Sequence, residues 1–336
     1  MKRWSVWLRL VVAVAGIGVI AWAIQWTDGY NESGEFVPGI LTMLSQASFS
    51  RLGLAWLIAA PVIPLQGTRW WLLMRCQNLD VPWRRAQRLM WAGMFFNFCL
   101  PGSLGGDVVK AGFAVKGGPG KAAAVVSILV DRVLGLIGLV ILASIAGLFV
   151  VGDPVAGPIA RAAWVVLGVS VFSALLLLLP GPRDWLTALL SWLRLPGIGV
   201  VRKITNAVLA YHRSPLTVSL GVLISVLTQG LLTLSLVQCG YALGVTTSLD
   251  QLFVAGPVLL ASAAIPLTPQ GIGVMEVLAV ALLVTDYGGA SANQAVGMVV
   301  LHRFVLLSFG LLGAFSLLGG DIKLQELKAP RPAQSA

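Results

Sequence analysis

The chain has 336 residues, of which 57% are hydrophobic and 11% charged, against the roughly 25% charged that soluble domains carry. This composition excludes a water-soluble globule and describes an all-α polytopic membrane protein, a helix bundle. The formal charge of +10 does not mark a nucleic-acid binder, because Lys and Arg are scattered through short loops, as cytoplasmic connections require; no nucleic-acid partner is expected.

At the N-terminus, Lys2, Arg3 and Arg9 precede the apolar run Leu10 to Gln25. The run resembles a signal peptide, and Ala21-Trp22-Ala23 mimics a small-residue cleavage site. Trp22 and Trp26 fit an interfacial belt better, so an uncleaved first helix starting in the cytoplasm is expected. Asp28, Glu32 and Glu35 then fall outside, and a second span, Leu52 to Leu73, returns to Arg75, Arg84, Arg85 and Arg88. The apolar stretch Leu89 to Leu100 has only about 12 residues, roughly 18 Å as helix, too short for a hydrocarbon core of about 30 Å. It runs into "NFCLPGSLGGDVVKAGF" (Asn97 to Phe113) and then Lys116 and Lys121. Both flanks are basic, so this segment should enter and leave on the cytoplasmic side.

Ala122 to Val151 should cross outward and Ala162 to Leu179 inward. Arg183 to Arg213, with Trp185, Trp192 and Tyr211, reads as an amphipathic connector on the cytoplasmic surface. Leu216 to Leu243 crosses outward to Asp250. Leu252 to Ile265 leads into "PLTPQGIGVMEV" and a further apolar stretch ending near Asp286, and Ala295 to Leu318 returns to Lys323, Lys328 and Arg331. The expected organisation is a first helix and outer loop (1–51), a first half (52–160) with its broken segment at 89–113, a helix and connector (161–215), a second half (216–318) with its broken segment at 252–284, and a polar tail (319–336) expected to be disordered. This gives six full spans, two re-entrant hairpins and both termini in the cytoplasm of a cell-membrane protein.

The two broken segments match. "PGSLGGD" (Pro101 to Asp107) and "PQGIGVME" (Pro269 to Glu276) share a proline, a Leu or Ile followed by Gly, and a final carboxylate. About 25 residues after the first carboxylate comes "VDRVLGLIGL" with Arg132, and about 27 after the second comes "LHRFVLLSFG" with Arg303. Span, broken hairpin, and span with an intramembrane Arg therefore occur twice, the first hairpin entering from inside and the second from outside. Paired Gly/Pro-interrupted segments in two inverted halves point to a substrate site near the bilayer midplane. Non-helical backbone survives at that depth only where protein buries it or a wet cavity bathes it. Gly102, Gly105, Gly106, Gly271 and Gly273 permit positive φ or close approach, and the helices starting near Gly106 and Gly273 offer N–H groups to an anion. The bland alternative is that small residues here simply let helices pack tightly.

A charge at the helix centre in a bilayer costs at least about 2.5 to 3.5 kcal/mol. Asp131 and Arg132 are adjacent in sequence and point to different sides of a helix, so each must find a partner elsewhere. Two readings stand: structural ion pairs of Arg132 or Arg303 with Asp107 or Glu276, or guanidiniums that grip a phosphate with a planar fork that Lys cannot copy. Asn97, Gln229, Thr268 and Gln270 are further candidates for lining a cavity, although Asn and Gln also serve as helix glue. His302, beside Arg303, is a candidate proton relay but more simply a hydrogen-bonded helix residue, and His212 meets headgroups. Cys76, Cys99 and Cys239 are odd in number and lie in or beside apolar segments, so neither a disulfide framework nor a zinc site is expected. There is no G-x-S-x-G, H-E-x-x-H or Walker A sequence, and no cofactor or metal is expected.

"LPGSLGGDVVK", "DRVLGLIGL" and "PLTPQGIGVME" resemble the membrane domain of lysylphosphatidylglycerol synthases and related flippase-like proteins, over roughly Leu52 to Leu318. The resemblance implies a bundle with two re-entrant hairpins that moves a lipid between leaflets. By motif match it implies Pro101, Gly105, Gly106, Asp107, Lys110, Asp131 and Arg132 in the first half, and Pro269, Gly271, Gly273, Glu276 and Arg303 in the second, as substrate-binding positions. Lys110 stands where the family usually has Arg, and Gln270 where Gly is usual. The aminoacyl-transferring soluble domain of the full-length synthases is not in this chain, so a transporter rather than an enzyme is expected. The implied partner is a membrane lipid, anionic or phosphate-bearing. The alternative is a non-transporting subunit that holds a lipid-modifying synthase or glycosyltransferase through the Arg183 to Arg213 connector.

Overall fold

The computed structural model describes residues 26–30, 36–99, 105–114, 121–154, 156–178, 211, 214–264, 271–284 and 289–317. The first apolar run, the connector apart from Tyr211, the loop residues Pro101, Gly102, Thr268, Pro269 and Gln270, and the tail lie outside the described residues.

The fold is an all-α polytopic membrane protein. Its helices are α1 (Ile40–Ser45), α2 (Phe49–Ala59), α3 (Val62–Cys76), α4 (Trp83–Cys99), α5 (Gly105–Ala114), α6 (Lys121–Ala146), α7 (Ala156–Leu178), α8 (Pro215–Ala242), α9 (Leu249–Ala264), α10 (Val274–Leu283) and α11 (Ala292–Ala314). Ahead of α1 the chain carries a two-residue antiparallel ladder, β1 (Gly29–Tyr30) on β2 (Phe36–Val37). By length and composition, four stretches among the described residues are long and apolar enough to cross a membrane: Phe49–Cys76, Ala123–Phe149, Pro215–Ala242 and Ala292–Ala314.

Three boundaries differ from the sequence expectation, two of them for a local reason. The second span is not one helix but α2 and α3, joined at Ala60 and Pro61; Pro61 and Pro64 lack the N–H groups a continuous ladder needs. The helix expected from Leu89 begins at Trp83 and has 17 residues, about 25 Å, still short of a full crossing. Its basic first turns are amphipathic, with Ala86 and Gln87 buried while Arg84 and Arg88 face out. α7 likewise starts early, at Ala156.

The packing pattern occurs twice. α4 packs on α3 and α5, and α6 on α3 and α5; α9 packs on α8 and α10, and α11 on α8 and α10. Between the two sets, α4 lies on α11 as α9 lies on α6, and α3 lies on α8. α8 runs antiparallel to α2 and α3: Arg51 meets Gln238 (3.0 Å), Ser235 donates to the carbonyl of Ala55 (2.9 Å) and Arg69 meets Ser225 (2.7 Å). α4 therefore starts at the end of the bundle where α3 finishes, and α9 at the opposite end, where α8 finishes. Gln251 at the start of α9 donates to Asp153 in the α6–α7 loop (2.6 Å), which fixes the same end for both.

Trp70, Leu73, Met74, Leu89, Leu236, Leu252, Leu259 and Met298 are fully buried between the helices, and the main apolar cluster runs through both sets. Val125, Leu129, Val133 and Leu136 on α6 stay exposed. Their helical spacing makes one continuous outward stripe, as expected where lipid covers one face.

Candidate functional site

α4 and α5 form a tight antiparallel hairpin. A Cβ on Gly106 would collide with the carbonyl oxygen of Gly93 and stand 2.7 Å from Asn97 Oδ1, so only glycine lets the two backbones come this close. The Gly106 N–H donates to Asn97 Oδ1 (2.8 Å). This contact anchors the start of α5 and leads into the first turn with Asp107.

Asp107 is shared by two cations. Lys110, one turn along α5, places Nζ 2.7 Å from Oδ1, and Arg132 on α6 donates from Nε to Oδ2. Lys110 also lies with Nζ 5.5 Å from the centre of the Trp70 ring, within cation–π range. Beside this trio is a second pair: Arg69 Nε donates to Asp131 Oδ1 at 2.7 Å, and Arg69 Nη1 donates to Ser225 Oγ at 2.7 Å. The Ser225 hydroxyl in turn donates a hydrogen bond to the carbonyl of Gly221 (2.7 Å). Gln229, also on α8, donates to the carbonyl of Gly135 (3.3 Å).

These groups surround a cavity of about 400 Å³. Arg69, Asp107, Lys110, Asp131 and Arg132 line its charged side, together with Asn97 and Gln229. Met90, Met94, Leu139, Leu232, Leu260 and Leu306 line the apolar side. Among the described residues, three cations and two carboxylates leave one surplus positive charge on the cavity wall. Arg132 is the most accessible of the five, with 31% of its side chain exposed against 5% for Arg69 and 8% for Lys110.

The second hairpin carries the corresponding pair in a different setting. Glu276, in the first turn of α10, receives Arg303 Nε at 3.0 Å on Oε1 and Nη2 at 3.3 Å on Oε2. The Gly273 N–H donates to Glu276 Oε2 (2.8 Å). Gly271 and Gly273 have φ of 68° and 88°, and a Cβ on Gly271 would stand 2.8 Å from the Cα of Ala263. Glu276 and Arg303 do not line the charged cavity, although Leu260, Ala263 and Leu306 of the same half do. His302 is buried beside this pair, at 1% exposure.

The structure thus brings Asp107, Lys110, Asp131 and Arg132 together around one cavity, with Gly106 packed against Gly93 and Asn97 beside them, and groups Gly271, Gly273, Glu276 and Arg303 separately. Gly105 opens α5, while Pro101 and Pro269 lie outside the described residues. Both structural ion pairs weighed from sequence are present. Of the N–H groups expected to face an anion, that of Gly106 is given to the amide oxygen of Asn97 and that of Gly273 to the protein's own carboxylate, Glu276. Gly106 is helical, so its requirement is close approach; positive φ belongs to the second hairpin. Sequence reasoning missed Arg69 and Ser225. Arg69 stands six residues before Arg75, near the end of its span, where its charge reads as part of the basic end.

The chain matches the family model described as lysylphosphatidylglycerol synthase TM region over residues 6–314. No curated protein matches it.

Proposed function

Because this chain belongs to the lysylphosphatidylglycerol synthase TM region family, we propose that it translocates a phospholipid or a lipid-linked phosphate intermediate between leaflets. The headgroup passes through the cavity between α3, α4, α5, α6 and α8. The observation that carries this reading is the surplus cation in a cavity deep in the bundle. Asp131 is the eleventh residue of the 26-residue α6, so it sits about 15 Å from the start of that helix. Ion pairs that merely pinned helices together would need neither a cavity beside them nor an unequal count of charges, and each charge at this depth is costly. Arg132, the accessible member, supplies the planar fork that meets phosphate oxygens. Two hairpins starting at opposite ends of the bundle fit the inverted repeats of alternating-access carriers, with the charged cavity beside the first hairpin and the Glu276–Arg303 pair, outside that cavity, in the second.

The test is transport of fluorescent phospholipids in vesicles carrying the purified protein, with thermal stability in detergent measured in parallel. Arg132→Lys keeps the charge and loses the fork, so headgroup binding should fall by about 1.5 to 3 kcal/mol and transport should drop with stability unchanged. Wild-type transport in that variant removes the phosphate clamp. Wild-type protein that moves no lipid faster than protein-free vesicles overturns the translocation reading.

A further inference from the structure

We propose that the second half holds a proton site: Nε2 of His302 takes up one proton, and the imidazolium so formed repels Arg303, weakens its hold on Glu276 and loosens the second hairpin. The setting rests on the translocation reading, to which this adds a coupling ion, but uptake of the proton is tested apart from transport.

Burial without a partner singles out the atom. Three buried side-chain atoms meet no hydrogen-bond partner among the described residues: Gln87 Oε1, Thr233 Oγ1 and His302 Nε2. Each such group costs about 1 to 3 kcal/mol. The amide and the hydroxyl stay neutral at every physiological pH, whereas an imidazole changes charge near neutrality. The simple hydrogen-bonded helix histidine expected from sequence is therefore not what Nε2 shows. With His302 at 1% exposure, water reaches the ring only when the helices around it part. A proton is thus neither gained nor lost while the bundle is closed, as a coupling site requires.

The charges around the ring decide what the proton does. α11 packs on α1, α2, α4, α8 and α10. α1 carries no titratable side chain. On α2, Arg51 is turned to Gln238 and the ring of Tyr241; α8 offers Cys239 and that same Tyr241. Arg84, Arg85 and Arg88 stand in the first turns of α4, whose later residues Trp91 and Phe98 meet Gly313 and Gly310, so these arginines lie toward the far end of α11. The remaining charges are Glu276 on α10 and Arg303 on α11 itself, the pair beside His302. With neutral His302 this pair balances. One proton from water, bonded to the Nε2 lone pair, sets two cations against one carboxylate, and like charges repel strongly at low dielectric. The first half holds that count permanently, with Lys110 and Arg132 on Asp107; the second half acquires it with the proton.

The pair is mechanically joined to the charged cavity. Glu276 accepts the Gly273 N–H at the start of α10, and a Cβ on Gly271 would stand 2.8 Å from the Cα of Ala263. Ala263 lines the cavity, and so does Leu306, one helical turn after Arg303. Release of the pair therefore moves two positions of the cavity wall.

The experiment reads the proton directly. The chain has two histidines, so the full chain with isotope-labelled histidine in detergent gives two imidazole signals by NMR, and His302→Gln removes one of them. The His302 signal should titrate between about pH 4 and 8, around the ordinary imidazole range. Ala279→Cys places a thiol on α10 where the native side chain is 0% exposed, in a background with Cys76, Cys99 and Cys239 changed to Ala. Its reaction with N-ethylmaleimide, relative to that of Gly152→Cys, should rise about tenfold or more as His302 gains its proton, and His302→Gln should abolish the rise. His212→Gln assigns the signals by itself if His302→Gln does not fold, and the labelling must then follow the His302 titration. A His302 signal that stays fixed over this range overturns the proton site, and labelling of Ala279→Cys that ignores the titration overturns its action on the hairpin. Protein that shows both responses yet moves no lipid in vesicles defeats translocation only; protein that moves lipid with the His302 signal fixed defeats this inference only.

Discussion

Truncation of Arg69 should be the most damaging single change in the charge cluster. Arg69→Ala leaves Asp131, at 5% exposure, with its cation removed, and breaking a buried pair from one side costs about 3 to 5 kcal/mol. Arg69→Lys returns a positive charge but cannot hold Asp131 and Ser225 together with one fork, so it should lose about 1.5 to 3 kcal/mol, one charge-assisted bond. Thermal melting in detergent reads both, and wild-type melting of the Ala variant would remove the pair from the structural framework. The two arginines differ in how far sequence betrays them. Arg132 interrupts an otherwise apolar run well inside its span, which marks it at once. Arg69 stands six residues before Arg75 and reads as part of a basic cytoplasmic end; only the packing of α3 beneath α6 and α8 shows that it is buried. The residue partners of Arg132 and Arg303 were legible because a carboxylate and a guanidinium recur at nearly the same interval in both halves, and a charge in lipid must find an opposite charge.

The hairpin of α4 and α5 depends on two backbones approaching without side chains between them. Gly106→Ala must push α5 away from the Gly93 carbonyl and from Asn97, an overpacking that costs about 1 to 3 kcal/mol and displaces Asp107 and Lys110 from the cavity. Gly53→Ala meets nothing within 4 Å, and as a glycine inside a helix it should be neutral or stabilising by up to about 1 kcal/mol. Comparing the melting temperatures of the two variants separates contact from propensity; equal behaviour would mean that the hairpin tolerates separation. That these elements are hairpins was readable from apolar runs too short to cross and broken by Gly and Pro. The start of α4 was not, because a turn rich in Arg looks like a loop until Ala86 and Gln87 are seen packed inward. Nor did sequence separate the two glycine roles: positive φ at Gly271 and Gly273 and close approach at Gly106 arise from identical residues, and only backbone geometry distinguishes them.

At the scale of the molecule, the arrangement of ends predicts orientation. α3 finishes and α4 begins at an end that carries Arg75, Arg84, Arg85 and Arg88, while Asp153 and Asp250 stand at the opposite end, tied together through Gln251. Positive residues in short loops stay in the cytoplasm, so the first hairpin should open from the cytoplasmic end and the second from the outer end. Single cysteines replacing Asp80, Gly152 and Asp250 test this in a background with Cys76, Cys99 and Cys239 changed to Ala. All three positions are exposed, and a Cβ at Gly152 meets nothing within 4 Å, so labelling should not disturb the fold. A membrane-impermeant maleimide added to intact cells should label the cysteines at 152 and 250 and spare the one at 80, which should react only after the membrane is opened. Labelling of all three from one side would mean that the two ends of the bundle do not face opposite sides of the membrane, and a carrier that rocks one half against the other about a central headgroup site would lose its symmetry argument. Labelling split between 80 and 250 is the outcome that antiparallel α3 and α8 require, since each hairpin begins where its preceding span ends.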